Sequence, residues 1–245
     1  MVNTPYKTFF NWSTGKDAAL ALYHLQLDER YKVERLVTTV NTYYNRISMH
    51  GLRLELLHQQ ARATGIPLTV IELPREPSMQ DYQVIMQKHM ERLIKEGFTT
   101  SAFGDIYLED LRAFRENQLQ QMGLKACFPL WRRNTRDLVR ELVDLGFRAV
   151  IVAIDAGRLD PSFAGREIDS DLLRDLPPDV DACGENGEFH AFCYDGPVFS
   201  HPVPFTLGEQ TYREYPAPGQ EKDKVQKARM GFWFRDLIPT GQYPQ

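Results

Sequence analysis

The chain has 245 residues, enough for one large domain or two modest ones, and 42% of them are hydrophobic. Its 29 basic and 33 acidic side chains leave a net charge of −4, which argues against non-specific binding to a nucleic-acid backbone and gives no support for a membrane-surface patch. No apolar run approaches the ~18 residues of a spanning helix, and the first residues lack a secretory pattern, so we expect a cytoplasmic protein without a membrane partner.

The three cysteines, Cys127, Cys183 and Cys193, are an odd number without a C-x-x-C pair, so a disulfide framework is not expected. Cys183, His190 and Cys193 have a spacing that matches no common zinc finger or ribbon, and the sequence offers no fourth ligand nearby. Reduced thiols with structural roles are therefore predicted.

Predicted strands and helices alternate through the first 127 residues. Strands are predicted at 7–12, 33–41, 68–73, 100–103 and 125–127, and helices at 18–25, 52–63, 79–95 and 108–122. Because such alternation requires βαβ crossovers, it predicts an α/β fold with a mostly parallel, doubly wound sheet. A nucleotide-binding sheet of this kind has the strand order 3-2-1-4-5.

The segment Ser13-Thr14-Gly15-Lys16-Asp17, called the phosphate loop below, joins the first predicted strand to the first helix. It combines a glycine, two hydroxyls and a lysine with a helix amino terminus, where backbone N–H groups attract anions. The P-loop motif is excluded, because its spacing requires glycine at Phe10 and a hydroxyl at Asp17. Helix capping is the alternative, purely structural interpretation.

A second candidate segment, Gly104-Asp105, follows the fourth predicted strand. Ligands bind at the carboxyl ends of parallel strands where the strand order reverses, so neighbouring first and fourth strands would bring this segment to the phosphate loop. Asp105 then has two interpretations: it caps the next helix, or it holds Mg²⁺ or orients a ribose.

The alternation changes near Trp131, where we place a boundary between domains 1–131 and 132–245. Asn134 and Thr135 are suited to cap a helix that runs to 145, and a strand is predicted at 148–154. A long connection follows at 155–169, then short strands at 188–194 and 203–207. The second domain is therefore predicted to be smaller and of α+β type.

The second half contains one polar cluster just before an apolar strand. It comprises two carboxylates, an amide, two glycines and an imidazole: Glu185, Glu188, Asn186, Gly184, Gly187 and His190. Glycines of this kind allow the backbone to approach a ligand closely. The Asn-Gly pair is also the strongest short signal for a hairpin turn, so local pattern alone leaves a turn and a binding loop both open.

The phosphate loop resembles the S-G-G-K-D-S signature of the ATP pyrophosphatases, which cleave ATP between its α and β phosphates. Thr14 stands at the first glycine of that signature, and Ala18 stands at its final hydroxyl residue. The first change puts a close backbone approach in question, and the second removes one phosphate-binding side chain.

The polar cluster resembles the E-G-G-E-[FY] motif of the diphthine–ammonia ligase family, whose members join an ATP-pyrophosphatase domain to a distinctive carboxy-terminal domain. Asn186 replaces one glycine of that motif, which a left-handed backbone conformation there would accommodate. Strings at 103–106, 128–131, 165–169 and 195–199 agree in order, and those at 48–51 and 231–237 are similar to the bacterial branch.

The resemblance implies a Rossmann-like domain of the HUP type and an ATP-dependent ligase that forms an amide. Such an enzyme adenylates a carboxylate acceptor, releases pyrophosphate and lets ammonia or ammonium displace AMP. Ser13, Thr14, Gly15 and Lys16 would hold the phosphates, with Lys16 catalytic. Asp17, Gly104 and Asp105 would complete the ATP site, the two carboxylates being the candidate Mg²⁺ ligands.

On the acceptor side, the resemblance implies catalytic roles for Glu185, Glu188 and His190. Asn186 and Gly187 would bind the acceptor, and Trp131 would form a wall of the pocket or close the domain interface. Homo-oligomerisation is left open.

Two other functions remain open at this stage. Thr14 and Ala18 suit a module that binds ATP without turning it over, whereas a paired-carboxylate loop in the second half favours an enzyme. A relative that modifies tRNA is disfavoured by the net acidity. His50 and His58 could be ligands, although surface or packing roles are the simpler interpretation.

Overall fold

The computed structural model describes residues 4–41, 46–47, 51–75, 78–216 and 229–241. Its first half is built on five parallel strands: β1 (Tyr6–Asn11), β2 (Tyr31–Asn41), β4 (Leu68–Leu73), β5 (Thr100–Ala102) and β6 (Lys125–Cys127). Their order is β4-β2-β1-β5-β6, which is 3-2-1-4-5 when only parallel strands are counted. The predicted parallel sheet is therefore confirmed. A two-residue strand, β3 (Arg46–Ile47), pairs antiparallel with the end of β2.

Four helices connect these strands and cover both faces of the sheet: α1 (Lys16–Leu27), α2 (Leu54–Thr64), α3 (Met79–Lys95) and α4 (Glu109–Gln121). Ala18 to Leu22 of α1 are all buried, because this helix is apolar along most of its length. The opposite face has a smaller core, where Leu93 of α3 and Leu119 of α4 pack against Phe9 and Ile71. The sheet is thus doubly wound, as predicted.

The second half contains an antiparallel sheet of order β8-β7-β10-β9, formed by β7 (Arg148–Asp155), β8 (Phe189–Asp195), β9 (Phe205–Pro216) and β10 (Arg229–Pro239). Helices α5 (Thr135–Asp144) and α6 (Ser170–Asp175) lie in the same half. Asn134 caps α5 as predicted, accepting a hydrogen bond from the backbone N–H of Asp137 at 3.1 Å. The long connection after β7 includes a 3-10 turn at Pro161–Phe163.

The two halves share one hydrophobic core. Phe10 and Leu22 from the first half belong to the same cluster of buried side chains as Val150 and Phe192 from the second. Docking the halves therefore removes apolar surface from water on both sides of the junction. The boundary at 131 stays a prediction.

Among the described residues, no helix is long and apolar enough to cross a bilayer. The predicted string at 48–51 and His50 lie largely outside the described residues. His58 is exposed on α2.

Candidate functional site

The phosphate loop leaves the first turn of α1 open to an anion. Gly15 is the N-cap residue of α1, and no side chain caps the helix there. The hydroxyl of Ser13 accepts a long hydrogen bond, 3.4 Å, from the Gly15 N–H, and the Thr14 hydroxyl bonds to the Ser13 carbonyl. The helix-capping alternative is therefore wrong, and the N-cap residue leaves the first-turn N–H groups of α1 without a side-chain acceptor.

Thr14 adopts a left-handed backbone conformation, with φ of +69°. This region costs a β-branched residue free energy that glycine does not incur. Two donors from outside the loop bind the Thr14 carbonyl: the Cys193 N–H of β8 at 3.0 Å and the Gln60 side-chain amide of α2 at 2.9 Å. The loop conformation is therefore held by residues far away in the sequence.

Lys16 is buried at the first position of α1, with 3% of its surface exposed. Its Nζ donates to Asp17 Oδ2 at 2.7 Å and to the Cys183 carbonyl at 2.5 Å, and it lies 5.3 Å from the centre of the Phe189 ring. Burial lowers the pKa of Lys16, but electrostatic interactions with Asp17, Cys183 and Glu185 and the hydrogen bond to Asp17 outweigh it, so the pKa is raised overall. A permanent positive charge therefore sits beneath the loop.

Gly104 and Asp105 lie beside the phosphate loop, because β5 pairs directly with β1. A Cβ atom at Gly104 would come within 3.0 Å of the Ala18 backbone nitrogen, so only glycine permits this approach. Asp105 does not cap α4, whose N-cap residue is Leu108.

The Asp105 carboxylate forms an ion pair with Arg115 at 2.8 Å. Burial raises the pKa of Asp105, Arg115 counteracts the rise, and the nearby charge of Asp17 adds to it. The two carboxylates predicted as Mg²⁺ ligands, Asp17 and Asp105, therefore interact electrostatically.

Residues 181–188 are called the acidic loop below. Carboxylates of this loop accept hydrogen bonds from its own backbone N–H groups. The Asp181 carboxylate accepts from the N–H groups of Cys183 and Glu185 at 2.9 and 3.1 Å. Glu188, which is 3% exposed, accepts from the Asp181 N–H at 3.2 Å and from the backbone and side-chain amides of Asn186, both at 3.0 Å. Two carboxylates thus hold the loop in shape.

The acidic loop is not a hairpin turn, since it joins α6 to β8, and β8 pairs with the earlier strand β7. Its left-handed residues are Gly184 and Gly187, at φ of +71° and +87°. Asn186 is not left-handed, so the conformation that would have suited its replacement of glycine is absent. The Asn186 side chain instead bonds to Glu188.

Glu185 is the carboxylate of the acidic loop that bonds to the residue after the Gly104-Asp105 segment rather than to its own loop. Its Oε1 accepts from the Ile106 N–H at 2.8 Å, directly after Asp105. Burial raises the pKa of Glu185 to about 7, although the Ile106 N–H opposes this; the charges of Asp17 and Asp105 raise it further. This carboxyl group therefore changes protonation near neutral pH.

His190 lies on β8, two residues beyond Glu188, and is half-buried. Burial and the charge of Lys16 lower the pKa of His190 to about 4. Its imidazole is therefore neutral at pH 7. All three cysteines are free thiols, and within the described residues no three His, Cys, Asp or Glu side chains converge as a metal site.

Trp131 lies at one end of a row of aromatic rings beside β5 and β6. Phe103 stacks on Phe128 at 5.2 Å, and Phe128 contacts Trp131 at 5.7 Å. The Arg112 guanidinium covers the Trp131 ring at 4.5 Å. Because Phe103 immediately precedes Gly104, one end of the row lies next to the site. A pocket-wall role for Trp131 stays a prediction.

Two family models match consecutive parts of this chain. Residues 6–126 match the family model described as the diphthamide synthase N-terminal domain, and residues 134–216 match that of the diphthamide synthase C-terminal domain. The chain belongs to the diphthamide synthase family. The resemblance to this family inferred from the short motifs is thereby confirmed, and the similarity to its bacterial branch stays a prediction.

Curated relatives carry the name diphthine–ammonia ligase. The human protein is 30% identical over 131 residues, which cover 51% of this chain and 48% of the relative. The mouse protein is 32% identical over 114 residues, 44% and 43% of the two chains. The zebrafish (Danio rerio) protein is 29% identical over 167 residues, 58% and 62% of the two chains. The chain spans about half the length of the curated relatives it matches first.

In this diphthamide synthase family member, three loops predicted from sequence come together: the phosphate loop, the Gly104-Asp105 segment and the acidic loop. Sequence reasoning missed Gln60, Asp181 and Arg115, which hold those loops in place. Gln60 had a detectable signal, because it is a polar residue on the apolar side of a predicted amphipathic helix. Asp181 and Arg115 had none, since exposed acids and arginines are common in loops and helices.

Proposed function

We propose that this protein is an ATP-dependent ligase that adenylates a carboxylate and transfers ammonia to it, releasing AMP and pyrophosphate. The observation that carries the proposal is the contact between Lys16 Nζ and the Cys183 carbonyl, which joins the phosphate loop to the acidic loop. An anion site and a carboxylate with a near-neutral pKa are thereby placed side by side, as a two-step transfer requires.

On the nucleotide side, Ser13, Thr14, Gly15 and Lys16 hold the ATP phosphates, with the base against β2. The open first turn of α1 supplies N–H donors, and Lys16 offsets charge that develops on the oxygen bridging the α and β phosphates. Asp17 and Asp105 fit Mg²⁺, which prefers hard oxygen ligands and needs only one or two carboxylates when phosphates supply the rest. Mg²⁺ would neutralise phosphate charge there.

On the acceptor side, a carboxylate oxygen attacks the α phosphorus and pyrophosphate leaves with the bridging oxygen. Ammonia then attacks the acyl carbon and AMP leaves. Glu185 takes the proton that ammonium must lose, because its pKa of about 7 keeps part of the population ionised at neutral pH. Both carboxylate oxygens of Glu188 accept hydrogen bonds from the acidic loop, so we assign Glu188 the structural role of holding that loop in its conformation.

Three further residues complete the acceptor side. Asn186 and Gly187 lie on the same loop as Glu185, and His190, whose imidazole is neutral at pH 7, follows that loop on β8. The acceptor itself is proposed from the relatives' name: a diphthine-like carboxylate is the first candidate. Trp131 would bound the pocket from the side of β6.

A second candidate is a module that binds ATP without turnover. It is favoured by Ala18, which places a buried methyl group where the ATP-pyrophosphatase signature has a hydroxyl. Glu185 argues against the binding module, since ATP binding alone has no need for a carboxyl group with a pKa of about 7. A tRNA-modifying role has no observation in its favour.

Product analysis decides between these functions. The protein is incubated with ATP, Mg²⁺, ammonium and a diphthine-containing peptide, and nucleotides are separated by chromatography. AMP and pyrophosphate are expected. ADP would overturn the reaction class, and nucleotide binding without products across a panel of carboxylates would favour the binding module.

A further inference from the structure

Gln60 occupies an unusual position for an amide side chain, because it is fully buried in the core between the two halves. Its Oε1 accepts from the indole N–H of Trp12 at 2.6 Å. Its Nε2 donates to the Thr14 carbonyl at 2.9 Å and to the Cys193 carbonyl at 2.5 Å. One amide therefore joins the end of β1, the phosphate loop and β8.

These contacts fall on the one strained residue of the phosphate loop. Thr14 has φ of +69°, a conformation that a threonine leaves unless its surroundings hold it. The Thr14 carbonyl has two donors, Gln60 Nε2 and the Cys193 N–H, and Gln60 also binds the Cys193 carbonyl. Gln60 thus fixes the peptide group that joins Thr14 to Gly15 and directly precedes the first turn of α1.

We propose that Gln60 is a positioning residue for nucleotide binding: it holds Thr14 left-handed, so that the phosphate loop presents its donors in the binding geometry. The inference rests on the proposed function only in taking residues 13–17 as the phosphate site. Gln60 acts through the loop backbone and through β8, the strand that follows the acidic loop.

Gln59 provides a matched control. It is the adjacent residue of α2, of the same type, and it is also buried, at 9% exposed. Within the described part of the chain, its Oε1 has no hydrogen-bond partner. Gln59→Met and Gln60→Met therefore make the same chemical change in one helix, but only the second removes contacts to the phosphate loop.

The first measurement is amide hydrogen exchange of the peptides covering the phosphate loop and β8. Gln60→Met removes the three buried hydrogen bonds of the amide and is expected to speed exchange there about tenfold or more, while Gln59→Met leaves both peptides at the wild-type rate. Equal exchange in the two variants overturns the proposal.

The second measurement is the affinity for α,β-methylene ATP, a non-hydrolysable analogue. Gln60→Met is expected to raise its Kd about tenfold under conditions where the variant is fully folded. A purely structural role predicts a lower unfolding midpoint with an unchanged Kd, which would also overturn the proposal. If the wild type fails to bind the analogue, the proposed function fails, and hydrogen exchange still decides the role of Gln60.

Two further variants keep the test decisive if Gln60→Met does not fold. Gln60→Glu retains the acceptor for Trp12, removes the amide donations to Thr14 and Cys193 and places a carboxyl group opposite their carbonyls, so it should reproduce or exceed the exchange and affinity changes. Thr14→Gly removes the strain, because glycine takes a positive φ freely. In that background the loss of the Gln60 amide should raise the Kd less, and an equal rise would contradict the proposed mechanism.

Discussion

The phosphate loop and the acidic loop lie against each other, yet their backbone groups are satisfied in opposite ways. The acidic loop is held from within, by Asp181 and Glu188, whose carboxylates accept its own N–H groups. The phosphate loop is held from outside, by Gln60 of α2 and Cys193 of β8.

The difference follows from what each loop must do. A loop that binds phosphate has to keep most of its N–H groups for the ligand, so few of them can hold the loop in shape. The acidic loop offers one carboxylate, that of Glu185, which bonds outside the loop, and its backbone N–H groups are available for internal hydrogen bonds. Substitutions should therefore act at long range in the first loop and locally in the second.

The largest effect is expected at Glu185. Glu185→Gln keeps the side-chain shape and removes its titration, so product formation should fall ~10²-fold or more with the Kd for the ATP analogue little changed. Glu188→Gln is the matched comparison: it should lower the unfolding midpoint while each folded molecule retains most of its activity, because Glu188 serves its own loop. Steady-state kinetics alongside thermal unfolding checks both, and the reverse ranking would refute the division of roles.

Lys16→Ala comes next. Loss of the charge-assisted contact to phosphate should weaken analogue binding by about 1.5–3 kcal/mol. Lys125→Ala removes an exposed lysine from the same sheet and should leave binding unchanged. Calorimetric titration of both variants provides the test, and an unchanged affinity in Lys16→Ala would remove the phosphate loop from the nucleotide site.

Asp181→Ala tests whether the acidic loop depends on its own carboxylates. It strips acceptors from two backbone N–H groups and from the Thr135 hydroxyl, 2.7 Å away, and should cost about 1–3 kcal/mol of unfolding free energy. Asp179→Ala, a nearby acid that is 70% exposed and 3.6 Å from Arg158, should cost less than about 0.5 kcal/mol. Urea unfolding distinguishes them; equal costs would show that the loop does not depend on this carboxylate.

The smallest effect is the pH dependence of stability, because two groups oppose each other. Glu185 has a pKa of about 7 against an ordinary 4.5, so its unfolded form loses a proton first and stability falls as the pH rises through that range. His190 has a pKa of about 4 against an ordinary 6.5, so only its unfolded form binds a proton in between and stability rises with pH.

The two contributions overlap between pH 4.5 and 6.5, where they should nearly cancel in the wild type. In Glu185→Gln the unfolding free energy should rise with pH, and in His190→Gln it should fall. Each slope is at most ~1.4 kcal/mol per pH unit. Urea unfolding across this range measures the slopes. Identical slopes in both variants would show that neither group carries the shift assigned to it.

The same contrast explains which features were predictable from sequence. The parallel sheet and the bounds of α3, β4 and β6 follow from hydrophobic periodicity and glycine stops, which are local signals. The strand order came from analogy with nucleotide-binding sheets. The residues of the acidic loop were also found, because its glycines and carboxylates lie together in the chain. The meeting of this loop with the phosphate loop was indicated only by family resemblance, since it depends on how the two halves dock.

The contacts of Gln60 and the conformation of Thr14 lay beyond sequence reasoning for the same reason. The left-handed backbone of Thr14 contradicts the local preference of threonine and exists only because distant residues hold it. The conformation expected for Asn186 was wrong because the neighbouring glycines supply the left-handed positions. A short helix, α6, also escaped prediction within the second half.

The hydrogen bond from Cys193 to Thr14 cannot form in a nascent chain until β8 has been synthesised. A ribosome that has released the five parallel strands has not yet made β8, so the phosphate loop lacks one of the donors that hold it. We expect a nascent chain stalled before residue 193 to bind ATP analogue more weakly than the finished protein, which cosedimentation of labelled nucleotide with stalled ribosomes would measure. The order of synthesis then delays nucleotide capture until the strand following the acidic loop is in place.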